Sequence, residues 1–322
     1  MKLHKDLDAF AAILRIVSDS SAIRLDVLEK DYYVTLFLKE LSEWQDTLPI
    51  YFKGGTALYK ALGNIRRFSE DIDLTVCIDG CSNSQAKKRL EKAANGYKNL
   101  PRTTLKELEN NQKGSITSVY DYSSILGAMI NDPLQRFSHV KVEATSFTVS
   151  EPFAPLKLAP IVYDRANDEQ KAILRDRYDV EPFFVNTICL ERIFVDKVFA
   201  SEFYYQRQEY FDVSKHIYDL SVMIGLNIIK RLLTDPVELT EIIAFKRREE
   251  GARIGSDLSH KPISDFMIFK GISENRDLYG KFISMQDTYI FDNKDKMSYE
   301  EAVSSLLFIE TGLRNERFQR RE

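Results

Sequence analysis

Lys53-Gly-Gly-Thr-Ala-Leu-Tyr-Lys60, followed after six residues by Arg67-Phe-Ser-Glu-Asp-Ile-Asp-Leu74, is the part of this sequence that decides the rest. Two adjacent glycines let a backbone approach another group closely and adopt conformations closed to other residues. Here they lie between a short segment, Pro49-Ile-Tyr-Phe-Lys53, and a run that reads as a helix to Leu62, with Thr56 suited to its N-cap and Gly63 to its stop. The free N–H groups and positive dipole end of such a helix favour phosphate. Behind it, Asp71-Ile-Asp-Leu-Thr-Val-Cys-Ile78 alternates polar and apolar residues and is rich in β-branched types, the pattern of a strand. Asp71 and Asp73, two apart, then leave one face while Ile72 and Leu74 enter the core. Two neighbouring carboxylates raise each other's pKa unless a cation sits between them. Hard oxygen donors on a rigid strand suit Mg²⁺, which keeps waters and phosphates as its other ligands.

Around this block the pattern is mixed. Leu7, Phe10, Leu14 and Val17, then Leu25, Leu28, Tyr32 and Leu36, recur at helical spacing. Residues 84–96 read as a helix, and 115–122 and 139–147 as strands. In the second strand Lys141, Glu143 and Thr145 alternate with Val140, Val142 and Ala144. The proline-bearing stretch from Pro152 to Pro160 marks a lobe boundary there or as late as Pro182. Beyond it 188–205, 213–226, 236–248 and 299–314 read as helices. The fold class is α+β, a small mixed-sheet lobe over 1–165 with an N-terminal helical piece and a helical lobe over 166–322.

Composition narrows the classes. The 322 residues are 44% hydrophobic and 29% charged with 13 Gly and 9 Pro, which excludes collagen, low-complexity disorder and a disulfide scaffold. No apolar run nears the ~18 residues of a membrane span, and Met1–Ala12 does not read as a secretion signal. Cys77, Cys81 and Cys189 neither pair completely nor offer a zinc site, so a reducing cytoplasm fits best. Four dispersed histidines exclude a zinc protease motif. A net charge of −4 gives no global mark of a nucleic-acid binder, and leaves a local basic channel open. Lys53, Lys60, Arg66 and Arg67 form either a basic rim or a solvated helix surface. Lys246-Arg-Arg248 and Arg314, Arg317, Arg320 and Arg321 read as solvent faces.

The glycine pair, the intervening helix and Asp71-x-Asp73 resemble the signature of the polymerase-β-type nucleotidyltransferase superfamily. The fuller wording resembles its AbiEii/AbiGii branch, the nucleotidyltransferase toxins of abortive-infection toxin–antitoxin systems. Glu29-Lys-Asp-Tyr-Tyr-Val-Thr-Leu36 is similar to the helix before the motif in that branch, and Glu191–Ala200 with Lys197, and Tyr218-Asp219-Leu220, to its later helices. Departures exist: Thr56 stands where the superfamily often has Ser, and Lys215-His216 where the branch usually has Arg-Asp.

The resemblance implies a polymerase-β-like lobe and a phage-defence enzyme that moves a nucleotide from an NTP (GTP or another) to an RNA acceptor such as a tRNA 3′ end. A cognate antitoxin encoded nearby and no membrane role are also implied. Asp71 and Asp73 would hold Mg²⁺, or Mn²⁺ in its place. Gly54, Gly55, Thr56 and Ser69 would meet the nucleotide phosphates. Glu143 is the candidate third carboxylate; Lys197 would add positive charge and Asp219 would position it or take a proton. Phosphorylation of Ser69 would add negative charge beside the carboxylates. The competing readings are a small-molecule adenylyltransferase, which needs an acidic pocket for a cationic substrate, and a non-catalytic binder of RNA or protein, which needs no such carboxylate set.

Overall fold

The computed structural model describes residues 1–21, 23–63, 66–69, 71–127, 136–147, 150–251 and 258–317, and separates into Met1–Thr187 and Ile188–Glu322. The first unit opens with helices α1 (Leu7–Ser21) and α2 (Leu25–Ser42). The apolar spacing that suggested them is used for packing: Phe10 of α1 meets Tyr32 and Tyr33 of α2 at ring distances of 4.8 and 5.9 Å. The sheet and its helices follow as β1 (Ile50–Lys53), α3 (Gly54–Leu62), β2 (Ile72–Val76), α4 (Asn83–Asn95), β3 (Arg102–Thr103), β4 (Asn110–Gln112), β5 (Ser115–Asp121), β6 (His139–Thr145), β7 (Phe153–Leu158), α5 (Ile161–Asp164), α6 (Asp168–Tyr178) and β8 (Phe183–Ile188). Helix α4 starts at a capping box in which Ser82 accepts from the Gln85 N–H and the Gln85 side chain accepts from the Ser82 N–H.

The sheet order is β3-β5-β6-β2-β1-β8-β7, with β4 attached to β5. β1 runs antiparallel to β2, β2 parallel to β6, and β6 antiparallel to β5. This register sets Lys53, Asp73, Glu143 and Thr117 in one row across four strands. The flanking residues Phe52, Ile72, Leu74, Val142 and Ala144 are fully buried on the other face.

Two expectations shift here. The division falls at Thr187/Ile188 rather than 165/166, because β8 pairs with β1 at Phe52↔Thr187 and so extends the sheet. The stretch from Pro152 to Pro160 holds strand β7 rather than a lobe boundary; β7 ends the sheet order, where Pro155 removes no interior ladder bond.

The second unit is helical: α7 (Leu190–Gln206), α8 (Tyr210–Met223), α9 (Asn227–Thr234), α10 (Pro236–Gly251), α11 (Met267–Gly271), α12 (Arg276–Tyr289) and α13 (Tyr299–Leu313). Its core gathers Phe194, Phe199, Ile217, Phe266, Phe282 and Leu306. The expectation that Lys246-Arg-Arg248 is a solvent face holds for Arg248 alone. Lys246 is buried and pairs with Glu249 and Glu250 at 2.6 and 2.9 Å, while Arg192 pairs with Glu249 at 2.7 Å. Arg247 donates to the carbonyls of Ser259 and Lys261. Period alone could not show this, since α10 alternates charge and apolar residues on every side. Arg320 and Arg321 lie outside the described residues.

Candidate active site

The carboxylate row is built by strand pairing. Asp73 lies directly between Lys53 of β1 and Glu143 of β6. Asp71, two residues earlier, forms an ion pair with Lys141 at 2.6 Å, and Lys141 is two residues from Glu143 on β6. Burial, then the Glu143 charge, push the Asp73 carboxyl up to about 7, with Asp71 adding to them and Lys53 and Lys141 pulling the other way. Burial alone would lower the Lys141 ammonium, but Asp71, then Asp73 and Glu143, hold it above the usual lysine value. Three carboxylates, Asp71, Asp73 and Glu143, thus share one face with the ammonium groups of Lys53 and Lys141.

The glycines fit against this row. Gly54 begins α3 at φ +84°, in the left-handed region, and an added Cβ would lie 2.2 Å from Asp73 Oδ2. An added Cβ on Gly55 would lie 2.8 Å from Ser69 Oγ and 3.1 Å from Arg67 Nη2. The glycine turn is thus pressed against the second motif. Gly63 closes α3 in the left-handed conformation, as expected.

Thr56 departs from its expected N-cap place. Lys53 precedes the first helical turn, which starts at Gly54 and has no side-chain cap. The buried Thr56 hydroxyl donates to the Asp71 carbonyl at 2.6 Å and reaches Ser69 Oγ at 3.1 Å. It ties the start of α3 to the backbone that presents the aspartates. Lys60 is neither a rim nor a solvated group. Its side chain is only 9% exposed, pairs with Asp31 at 2.6 Å, and donates to Thr35 and to the Ala159 carbonyl. Arg67 is buried as well and donates to the Phe68 carbonyl; only Arg66 is exposed.

In the second unit, α7 and α8 bring Lys197 and Asp219 together across 22 positions of sequence, at 2.6 Å, with Asp219 fully buried. Lys215 and His216 of α8 are used for packing: Lys215 pairs with Asp212, and the His216 ring stacks on Tyr204.

The donor set suits a hard divalent cation. Asp71, Asp73 and Glu143 supply oxygen only, and burial, then the Glu143 charge, keep the Asp73 carboxyl raised despite Lys53 and Lys141. Among the described residues no three His, Cys, Asp or Glu side chains lie close enough together to hold a metal ion. The main participant missed in the sequence is Lys141; its position two before Glu143 on an alternating strand was the available signal.

The profile of the family described as "Nucleotidyl transferase AbiEii toxin, Type IV TA system" matches residues 36–304. No curated protein sequence matches the chain. Among solved structures, MenT4, a nucleotidyltransferase toxin from Mycobacterium tuberculosis H37Rv, is similar at 16% identity and a TM-score of 0.40, covering 94% of this chain and 98% of that one. A likeness at that level leaves the assignment to the sequence match. No described helix is long and apolar enough to cross a membrane. With its two motifs joined at one row of carboxylates, the chain belongs to the AbiEii family of nucleotidyltransferase toxins of type IV toxin–antitoxin systems.

Proposed function

We propose that this toxin transfers a nucleotide from an NTP to the 3′ end of an RNA, with a tRNA as the acceptor class and Mg²⁺ as the metal. The observation that carries this reading is the row Lys53–Asp73–Glu143, with Asp73 held against Gly54 and its carboxyl pushed up to about 7. Asp71 and Asp73 would hold the metal, which would supply positive charge against the charge that develops on the phosphates. Gly54 and Gly55 admit the phosphates to the start of α3. Thr56 keeps its hydroxyl on the Asp71 carbonyl and so fixes the cradle. Glu143 accepts the proton of the attacking 3′ hydroxyl; the new bond joins that oxygen to the α-phosphorus, and the α–β bond breaks to release pyrophosphate. Lys197, which pairs with Asp219 at 2.6 Å within the second unit, would add positive charge, as the family resemblance implies. The antitoxin is the protein partner.

The test is incubation with Mg²⁺, each labelled NTP in turn and total RNA, for wild type and Asp71→Ala. Label carried to RNA by wild type alone supports the reading and names the donor. Label on neither RNA nor protein would overturn it.

A further inference from the structure

Beside the carboxylate row, and within the first unit, lies a cavity of about 480 Å³. That is inside the ~300–1,000 Å³ range of small-molecule sites. Thr56 and Ser69 form part of its wall, so it adjoins the start of α3, but Asp71, Asp73, Gly54 and Gly55 do not line it. It is lined by the apolar residues Ile23, Tyr59, Leu62 and Pro182, by Lys60, Arg67, Lys157 and Arg165, and by Asp31 and Asp164. Lys60 pairs with Asp31, and Arg67 donates to the Phe68 carbonyl. Lys157 and Arg165 have exposed side chains with no hydrogen-bond or ion-pair partner among the described residues. The Arg67 guanidinium lies 5.7 Å over the Tyr59 ring, and both residues line the cavity.

We propose that this cavity is a second nucleotide site, holding one ribonucleoside phosphate with its phosphate on Lys157 and Arg165 and its base or ribose against the Tyr59 side. An anion gains from two unpaired cations, and a sugar or base gains from the apolar wall. Two sources carry that chemistry: a free nucleoside monophosphate, or a nucleotide near the end of an RNA strand. The acceptor-strand source rests on the nucleotidyl-transfer reading above; the site itself does not.

The experiment is equilibrium binding of labelled AMP, CMP, GMP and UMP, and of a labelled single-stranded RNA trinucleotide. It uses the full chain as wild type, Lys157→Glu/Arg165→Glu and Asp73→Asn. Binding that survives Asp73→Asn and falls at least tenfold in the charge-reversed pair supports the site. A monophosphate that binds as well as the trinucleotide identifies the free source, and binding of the trinucleotide alone identifies the strand. If the reversed pair fails to fold, Lys157→Gln/Arg165→Gln serves instead, with a loss of about threefold or more expected. Wild type that binds no probe, binding untouched in the double variants, or equal loss in Asp73→Asn would each overturn the proposal. Since the readout is binding, failure of transfer in the RNA assay is a separate result.

Discussion

Helix α2 and strand β2 both carry acidic residues into the body of the first unit, with opposite electrostatics. On α2 every charge in Glu29-Lys30-Asp31 has a defined partner. Glu29 accepts from Ser124 Oγ at 2.6 Å and from the Ile125 N–H at 2.8 Å; Lys30 donates to the carbonyls of Arg136 and His139; Asp31 takes Lys60 and the Ile161 N–H. On β2 the charges are crowded and of both signs: Asp73 lies between Lys53 and Glu143 and shares its surface with Asp71, which pairs with Lys141. Satisfied charges hold distant segments in place, whereas crowded carboxylates cost stability that only a ligand can return. The first pattern holds distant segments together, and the second is the one the proposed function draws on.

Asp73→Asn gives the sharpest break between the two. It should lower nucleotidyl transfer by about 10³-fold or more. Its melting temperature at pH 8 should be no lower than wild type, because the change removes a repelled charge. A clear loss of stability would place Asp73 with the α2 group. Lys197→Met tests a residue with both characters. It leaves Asp219 buried without its ammonium partner, so a loss of about 3 kcal/mol is expected by denaturant unfolding, together with at least a ~10²-fold loss of transfer. Loss of stability with transfer per folded molecule intact would make the pair scaffolding only.

Glu29→Ala should do the reverse of Asp73→Asn. Stability falls by about 2–3 kcal/mol, since two hydrogen bonds to a buried carboxylate are lost. Transfer per folded molecule, measured at 15 °C, stays within about twofold. The smallest effect concerns His4, whose ring nitrogen lies 3.1 Å from Tyr32 Oη. Burial, then the nearby Lys5 and N-terminal charges, lower its pKa to about 4. The unfolded chain therefore binds a proton near pH 6.5 that the folded chain refuses until about pH 4. Stability is highest above 6.5 and falls as pH drops through that window. The slope is at most ~1.4 kcal/mol per pH unit, and less for a half-buried ring. His4→Gln should lose less stability than wild type between pH 6.5 and 4.5; parallel curves would count against this assignment.

Much of the site could be read early because its signals are local. Two adjacent glycines, the period of two on β2 and the alternation on β6 each concern neighbours in sequence, and the row containing Asp73 and Glu143 needs only that the two strands pair. What escaped was long-range. Lys60 looked like a surface cation until Asp31, from another helix, reached it. Lys246 looked solvated until Glu249 and Glu250 closed around it. Strand β8 was hidden because its partner β1 lies more than a hundred residues earlier in the chain.

The order of residues by itself determined the family, the glycine turn before α3 and the two aspartates on one strand face, since backbone conformation and side-chain alternation act over a few bonds. Only tertiary packing decided which charges are spent on holding the fold and which are left crowded or unpaired. That distinction depends on which distant segments meet and how much water they exclude. No reading of neighbours in sequence contains it.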